Sequence, residues 1–156
     1  MALVAVRGFL RKLGTGKSLS FVMQSIMNPV EIIRFLESDN DVNTQLEAFK
    51  QLNAHATEKD LPALLAAIKS ETSNFWVREL LSEPIINLAG STAIPDLMAA
   101  LRKNFEEGHD NDGFQASLAD LAESDPEGVR AELEKLAEGA TKAELEDINW
   151  LLEFCQ

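Results

Sequence analysis

The chain is poor in the residues that would narrow its chemistry, and each shortage excludes something. One cysteine, Cys155, occurs in 156 residues, so neither an intramolecular disulfide nor a cysteine-based zinc cluster can form. A reducing, cytoplasmic setting is the expectation. Tyrosine is absent and the aromatics are eight Phe and two Trp. Apolar and polar residues nowhere alternate over a strand's length, so nothing predicts β structure. The two histidines, His55 and His109, have no second histidine or cysteine at ligand spacing, which argues against a metal site or a histidine-assisted nucleophile. No run of apolar residues reaches the roughly 20 of a membrane span.

Basic charge is also scarce. The chain carries 14 Lys+Arg against 26 Asp+Glu, a formal charge of −12, and its pI is near 4.5. Affinity for a nucleic-acid backbone rests on cations that displace counterions, so a nucleic-acid ligand is not expected and a basic protein partner is. The charge is unevenly spread. Before Glu31 stand Arg7, Arg11, Lys12 and Lys17 and no acid, so a basic, apolar segment precedes a strongly acidic body. Arg7 interrupts the short Leu3 to Val6 run, against a secretory signal. A transit segment would have this acid-free character, which makes an organelle the alternative compartment. Leu3, Val6, Leu10 and Leu13, then Phe21, Val22 and Ile26, recur at helical spacing, and the preferred reading is a pair of capping helices over 1–28. Membrane contact through residues 1–27 is the lesser variant.

The body repeats. Pro29, Pro62 and Pro95 are spaced by 33 residues, and each opens an apolar helical segment. Proline is tolerated there because the first helical N–H has no intrahelical acceptor. Positions three and six beyond each proline are apolar: Ile32, Leu65 and Met98, then Phe35, Ile68 and Leu101. A fourth, slipped copy follows Pro126 with Val129, Leu133 and Leu136. Between these segments lie other helical runs, Leu46, Phe49 and Leu52, then Leu81, Ile85 and Leu88, then Phe114, Leu118 and Leu121. Each unit is therefore two helices. Asn28 with Glu31 and Thr141 with Glu144 have capping-box spacing, the latter opening a last helix with Leu145, Ile148, Trp150 and Leu152.

Val77-Arg78 near the start of one first helix, Pro84 within it, and Gly90-Ser-Thr-Ala-Ile-Pro-Asp-Leu97 leading into the second together resemble HEAT repeats, specifically the short type of the phycobiliprotein lyases. The resemblance covers residues 29–138. It implies an all-α fold, an α-α superhelix of about four helix pairs plus terminal helices, in one continuous domain. The capping helices would be 1–28 and 139–156, and the second helices would line the concave side. Gln45 stands where the family pattern prefers Arg, and the fourth unit lacks the Ile-Pro junction. Function varies widely across such repeats.

Chemical motifs are weak. Gly14-Thr-Gly-Lys-Ser18 resembles the end of a phosphate-binding loop but has Arg11 where glycine is needed. Asp110-Asn-Asp-Gly113 resembles a calcium loop, yet Gly108 and Ala119 occupy the positions that require carboxylates. No catalytic residue, metal ligand or cofactor site stands out, so the chain is read as a non-enzymatic protein-binding module, in its concrete form an inhibitor or immunity-like protein for a basic partner. The expected contact residues are Phe75 and Trp76, which as helix neighbours cannot share one core groove, and Glu106, Glu107, Asp110 and Asp112 in the acidic stretch from Asn104 to Gly113, read as the longest break between helices. The alternative class is a lyase-like accessory subunit that holds a cofactor in its concave face.

Overall fold

The computed structural model describes residues 28–38 and 41–156. The capping helices expected before Asn28, the basic segment 1–27 and the Gly14-to-Ser18 turn lie outside the described residues. Among the described residues the protein is all-helical, without a strand. Its elements are α1 (Pro29–Ser38), α2 (Val42–His55), α3 (Leu61–Ile68), α4 (Phe75–Ala89), a 3₁₀ turn (Gly90–Ala93), α5 (Ile94–Glu106), α6 (Asp112–Ser124), α7 (Pro126–Ala137) and α8 (Lys142–Leu152).

The helices begin where the sequence supplies acceptors for free N–H groups. Asn74 Oδ1 accepts from Val77 N at 2.9 Å and Asp125 Oδ1 from Gly128 N at 3.1 Å. The capping box is complete at Thr141 and Glu144, and Asn28 and Glu31 exchange the same reciprocal bonds at 3.2 and 3.0 Å. Each such cap contributes about 1 kcal/mol. Gly90 ends α4 at φ +54, a backbone conformation open to glycine at no steric cost. Pro84 lies inside α4 and is buried, at the cost of one backbone hydrogen bond.

Packing follows the chain. α2, α4 and α6 touch in succession, α1, α3, α5 and α7 do likewise, and α8 lies against α5, α6 and α7. The burial pattern carries the repeat. Ala48, Leu81 and Phe114, and Leu52, Ile85 and Leu118, are fully buried at intervals of 33. In the second helices the buried pairs are Ile32 and Leu36, Leu64 and Ile68, Leu97 and Leu101, Val129 and Leu133. Those pairs step by 32, 33 and 32 residues, not by the uniform 33 of the first three prolines. The reason is local: Pro29 and Pro126 are the first residues of α1 and α7, whereas Pro62 and Pro95 are the second residues of α3 and α5. The core residues are accordingly Leu64 and Leu97, with Leu65 only half-buried. In α8 the buried residues are Ile148 and Leu151, and Leu145 is exposed.

The helical run Phe75–Glu106 is long and apolar enough to cross a membrane by composition, because the break inside it is short. Gly90–Ala93 divides it, α4 and α5 pack on each other, and Val77, Leu81, Ile85, Ile94, Leu97 and Leu101 are fully buried. It is a pair of core helices.

Candidate functional site

The most unusual side chain in the core is Arg78 on α4, which is 0% exposed. Burying a guanidinium is costly unless its charge and its donors are matched, and here they are. Nε donates to Asn104 Oδ1, Nη1 to the Ser73 carbonyl, and Nη2 to Glu107 Oε2. Asn104, itself fully buried at the end of α5, passes the network on: its Nδ2 donates to Asn111 Oδ1 at 2.7 Å. Asn111 Nδ2 in turn reaches the His109 carbonyl at 3.4 Å. The buried arginine thus fixes both ends of the loop between α5 and α6.

Arg78 is one member of a series. Gln45, Arg78 and Asn111 are spaced by 33 and are the buried polar residues at matching places in successive units. Gln45 Nε2 donates to the Leu36 carbonyl at 2.9 Å. Gln45 thus directs an uncharged side-chain donor at the preceding helix end.

The loop is shorter than expected. Asn104 to Glu106 belong to α5, and Asp112 and Gly113 to α6, which leaves 107–111 between helices. The break from 69 to 74 is longer. What the fold does is bring this loop and the start of α4 together. The Phe75 ring stacks on His109 with centroids 3.8 Å apart and planes 14° from parallel. Asn104 Nδ2 also reaches the Phe75 carbonyl at 3.4 Å. Glu79, one turn after Phe75, has its pKa raised by burial and by the neighbouring charges of Asp110 and Asp112. Three carboxylates and one aromatic pair form a single patch.

Of the other expected contact residues, Trp76, Glu106 and Glu107 are engaged elsewhere, and Asp110 and Asp112 stay within the patch. Trp76 packs against the core and its Nε1 is buried without a hydrogen-bond partner. Glu107 is committed to Arg78. Glu106 lies 3.7 Å from Arg102 on the same helix. Asp110 Oδ1 accepts from the Asp112 backbone N at 3.2 Å, and both side chains are exposed. The sequence does not single out Glu79, Asn104 or Asn111, and His109 is weighed there only as a metal ligand or nucleophile's partner; the interval of 33 from Gln45 and Arg78 is the available signal for Asn111.

Three ion pairs join the second helices to neighbouring elements: Lys69 with Asp96 at 3.0 Å, Lys103 with Glu71 at 3.1 Å and Arg102 with Asp147 at 3.0 Å. A cleft of about 400 Å³ lies where α5, α7 and α8 meet, lined among others by Met98, Arg102, Leu136, Gly139, Asp147 and Ile148. Among the described residues no group of three or more His, Cys, Asp or Glu could hold a metal ion. Cys155 is buried, and burial raises its thiol pKa, the opposite of what a nucleophile needs. Comparison with family models, with curated proteins and with solved structures returned no match to this chain.

Proposed function

We propose that the chain is a HEAT-like α-α superhelix that acts without catalysis, binding a basic protein partner through the patch at the start of α4 and the α5–α6 loop. The observation that carries this reading is the union of the Phe75–His109 aromatic pair with three neighbouring carboxylates, Glu79, Asp110 and Asp112, of which Glu79 has its pKa raised by burial and by the charges of the other two. Like charges held together are relieved by an incoming cation. The buried Arg78 network holds the loop in one arrangement, so little ordering is required on binding. A surplus of acid also speeds encounter with a basic protein by roughly 10- to 1,000-fold at low salt. The concrete form is an inhibitor or immunity-like protein that covers a basic active site, in a cytoplasmic setting.

The test is affinity capture from the source cells with the full chain and two variants. One is Glu79→Gln with Asp110→Asn and Asp112→Asn; the other is Phe75→Ala. Glu107 is left intact because its loss would uncover Arg78. Captured basic proteins should elute with moderate salt and be lost with both variants. Capture of the same proteins by the triple variant, with unchanged salt dependence, refutes the reading.

A further inference from the structure

The cleft between α5, α7 and α8 joins an apolar floor to a paired set of charges. Met98 and Ile148 are buried and Leu136 is half-buried. Set among them are Arg102 and Asp147, whose side chains are 3.0 Å apart and only 24% and 14% exposed. The pair is incompletely satisfied. Arg102 Nε is buried with no hydrogen-bond partner, its ion-pair contact with Glu106 Oε1 being 3.7 Å long, and the other polar contact of Nη1 is also long, 3.4 Å to the Ala143 carbonyl. Burial raises the pKa of Asp147, although Arg102 beside it acts the other way. A half-buried ion pair in this condition gains from further partners for both of its members.

The ligand class follows from charge and size. Lys135 and Glu144 also line the cleft, so its cations and anions balance, which disfavours phosphates, other polyanions and polyamines. A complementary molecule carries a carboxylate for the arginine, an ammonium for the aspartate, and an aliphatic body for the floor. Adjacent opposite charges on one molecule suit the short Arg102–Asp147 separation, which selects an α-amino acid over a peptide, whose charged ends are far apart. The cleft is at the small end of ligand-site volumes. We propose that it binds a free aliphatic α-amino acid, with its carboxylate on Arg102, its ammonium on Asp147 and its side chain over Met98, Leu136 and Ile148. Gly139 lines the cleft, and a Cβ there would meet nothing within 4 Å, so a larger side chain can be introduced at this position. The site is separate from the acidic patch and stands whether or not that patch binds a protein.

The experiment is two-dimensional NMR of the full chain titrated with L-leucine, L-leucinamide and N-acetyl-L-leucine. Leucine is expected to move the amide signals of Ala99, Gly139 and Ala140 with a Kd of about 1 mM or tighter, and each derivative, lacking one charge, to bind at least about tenfold more weakly. Gly139→Leu, which adds a bulky side chain to the lining, should abolish the leucine shifts while leaving the rest of the spectrum in place. Absence of shifts with leucine, isoleucine and methionine overturns the proposal. So does binding of either derivative as tight as that of leucine, or binding that persists in a folded Gly139→Leu chain. Should Gly139→Leu not fold, the derivative comparison on the unaltered chain still decides.

Discussion

Replacing Glu107 by alanine removes the anion paired, among the described residues, with a guanidinium that is 0% exposed. Arg78 would keep two neutral acceptors, Asn104 Oδ1 and the Ser73 carbonyl, with its charge uncompensated. Breaking a buried pair from one side costs about 3–5 kcal/mol. Glu107 is itself 38% exposed, so water can reach the vacated position and the expected cost falls to about 2–3 kcal/mol. For a chain of this size that lowers Tm by about 10 °C. Glu106 supplies the internal control. It is the preceding residue and also acidic, but 67% exposed and 3.7 Å from its cation, so Glu106→Ala should cost less than about 0.5 kcal/mol. Arg78→Met removes the cation and strands two acceptors, at about 1–3 kcal/mol each. The double variant Arg78→Met with Glu107→Ala should be less damaging than the sum of the single changes, by about 2 kcal/mol. Urea unfolding followed by far-ultraviolet circular dichroism measures all four variants. If Glu107→Ala costs no more than Glu106→Ala, or the double variant is additive, the arginine does not anchor the loop.

Further outcomes follow from the same geometry. Gly128→Ala would drive its Cβ into Asp125 Oδ2 and the Ser91 hydroxyl, spoiling the cap of α7, and should cost about 2 kcal/mol in chemical denaturation. Leu52→Ala, Ile85→Ala and Leu118→Ala create cavities at the same place in three successive units and should each cost about 2–5 kcal/mol. A value near zero at any one would show that its unit is not part of the common core. Glu79 has a folded-state pKa above that of the unfolded chain, so its charge destabilises at neutral pH. As pH falls through the raised value the folded state takes up its proton first, and stability rises until the unfolded chain is protonated too. Asp147 acts in the same direction. Thermal melts from pH 7 to about 5 should therefore show a gain that is smaller in Glu79→Gln. An equal gain in that variant would place the titration elsewhere.

Helix pairing was legible because proline, the cap residues and the apolar period agree at each unit. Its register was less so. Proline tolerates either of the first two helical positions, so counting from Pro29 and Pro62 pointed to Leu65 where the core takes Leu64. Trp76 and Phe75 are adjacent and similar in sequence, yet only Trp76 joins the core, since the helix turns by about 100° per residue. The patch was legible only in pieces. Phe75 and the acidic loop lie more than thirty residues apart, and it is Arg78, reaching across to Asn104 and Glu107, that brings them together. The cleft was invisible because Arg102 and Asp147 are 45 residues apart, in different units, and neither belongs to a motif.

The most direct test of the proposed function is a charge-matched comparison with the captured partner. Its affinity is measured over a range of salt for the unaltered chain, for Glu79→Gln/Asp110→Asn/Asp112→Asn, and for Glu134→Gln/Glu138→Gln/Glu153→Gln, which removes three exposed carboxylates outside the patch. The account predicts that the first triple variant loses at least about tenfold in affinity and flattens the salt dependence, while the second stays within about twofold. Equal losses in the two would contradict it, since the partner would then be reading overall charge and not the patch held by Arg78.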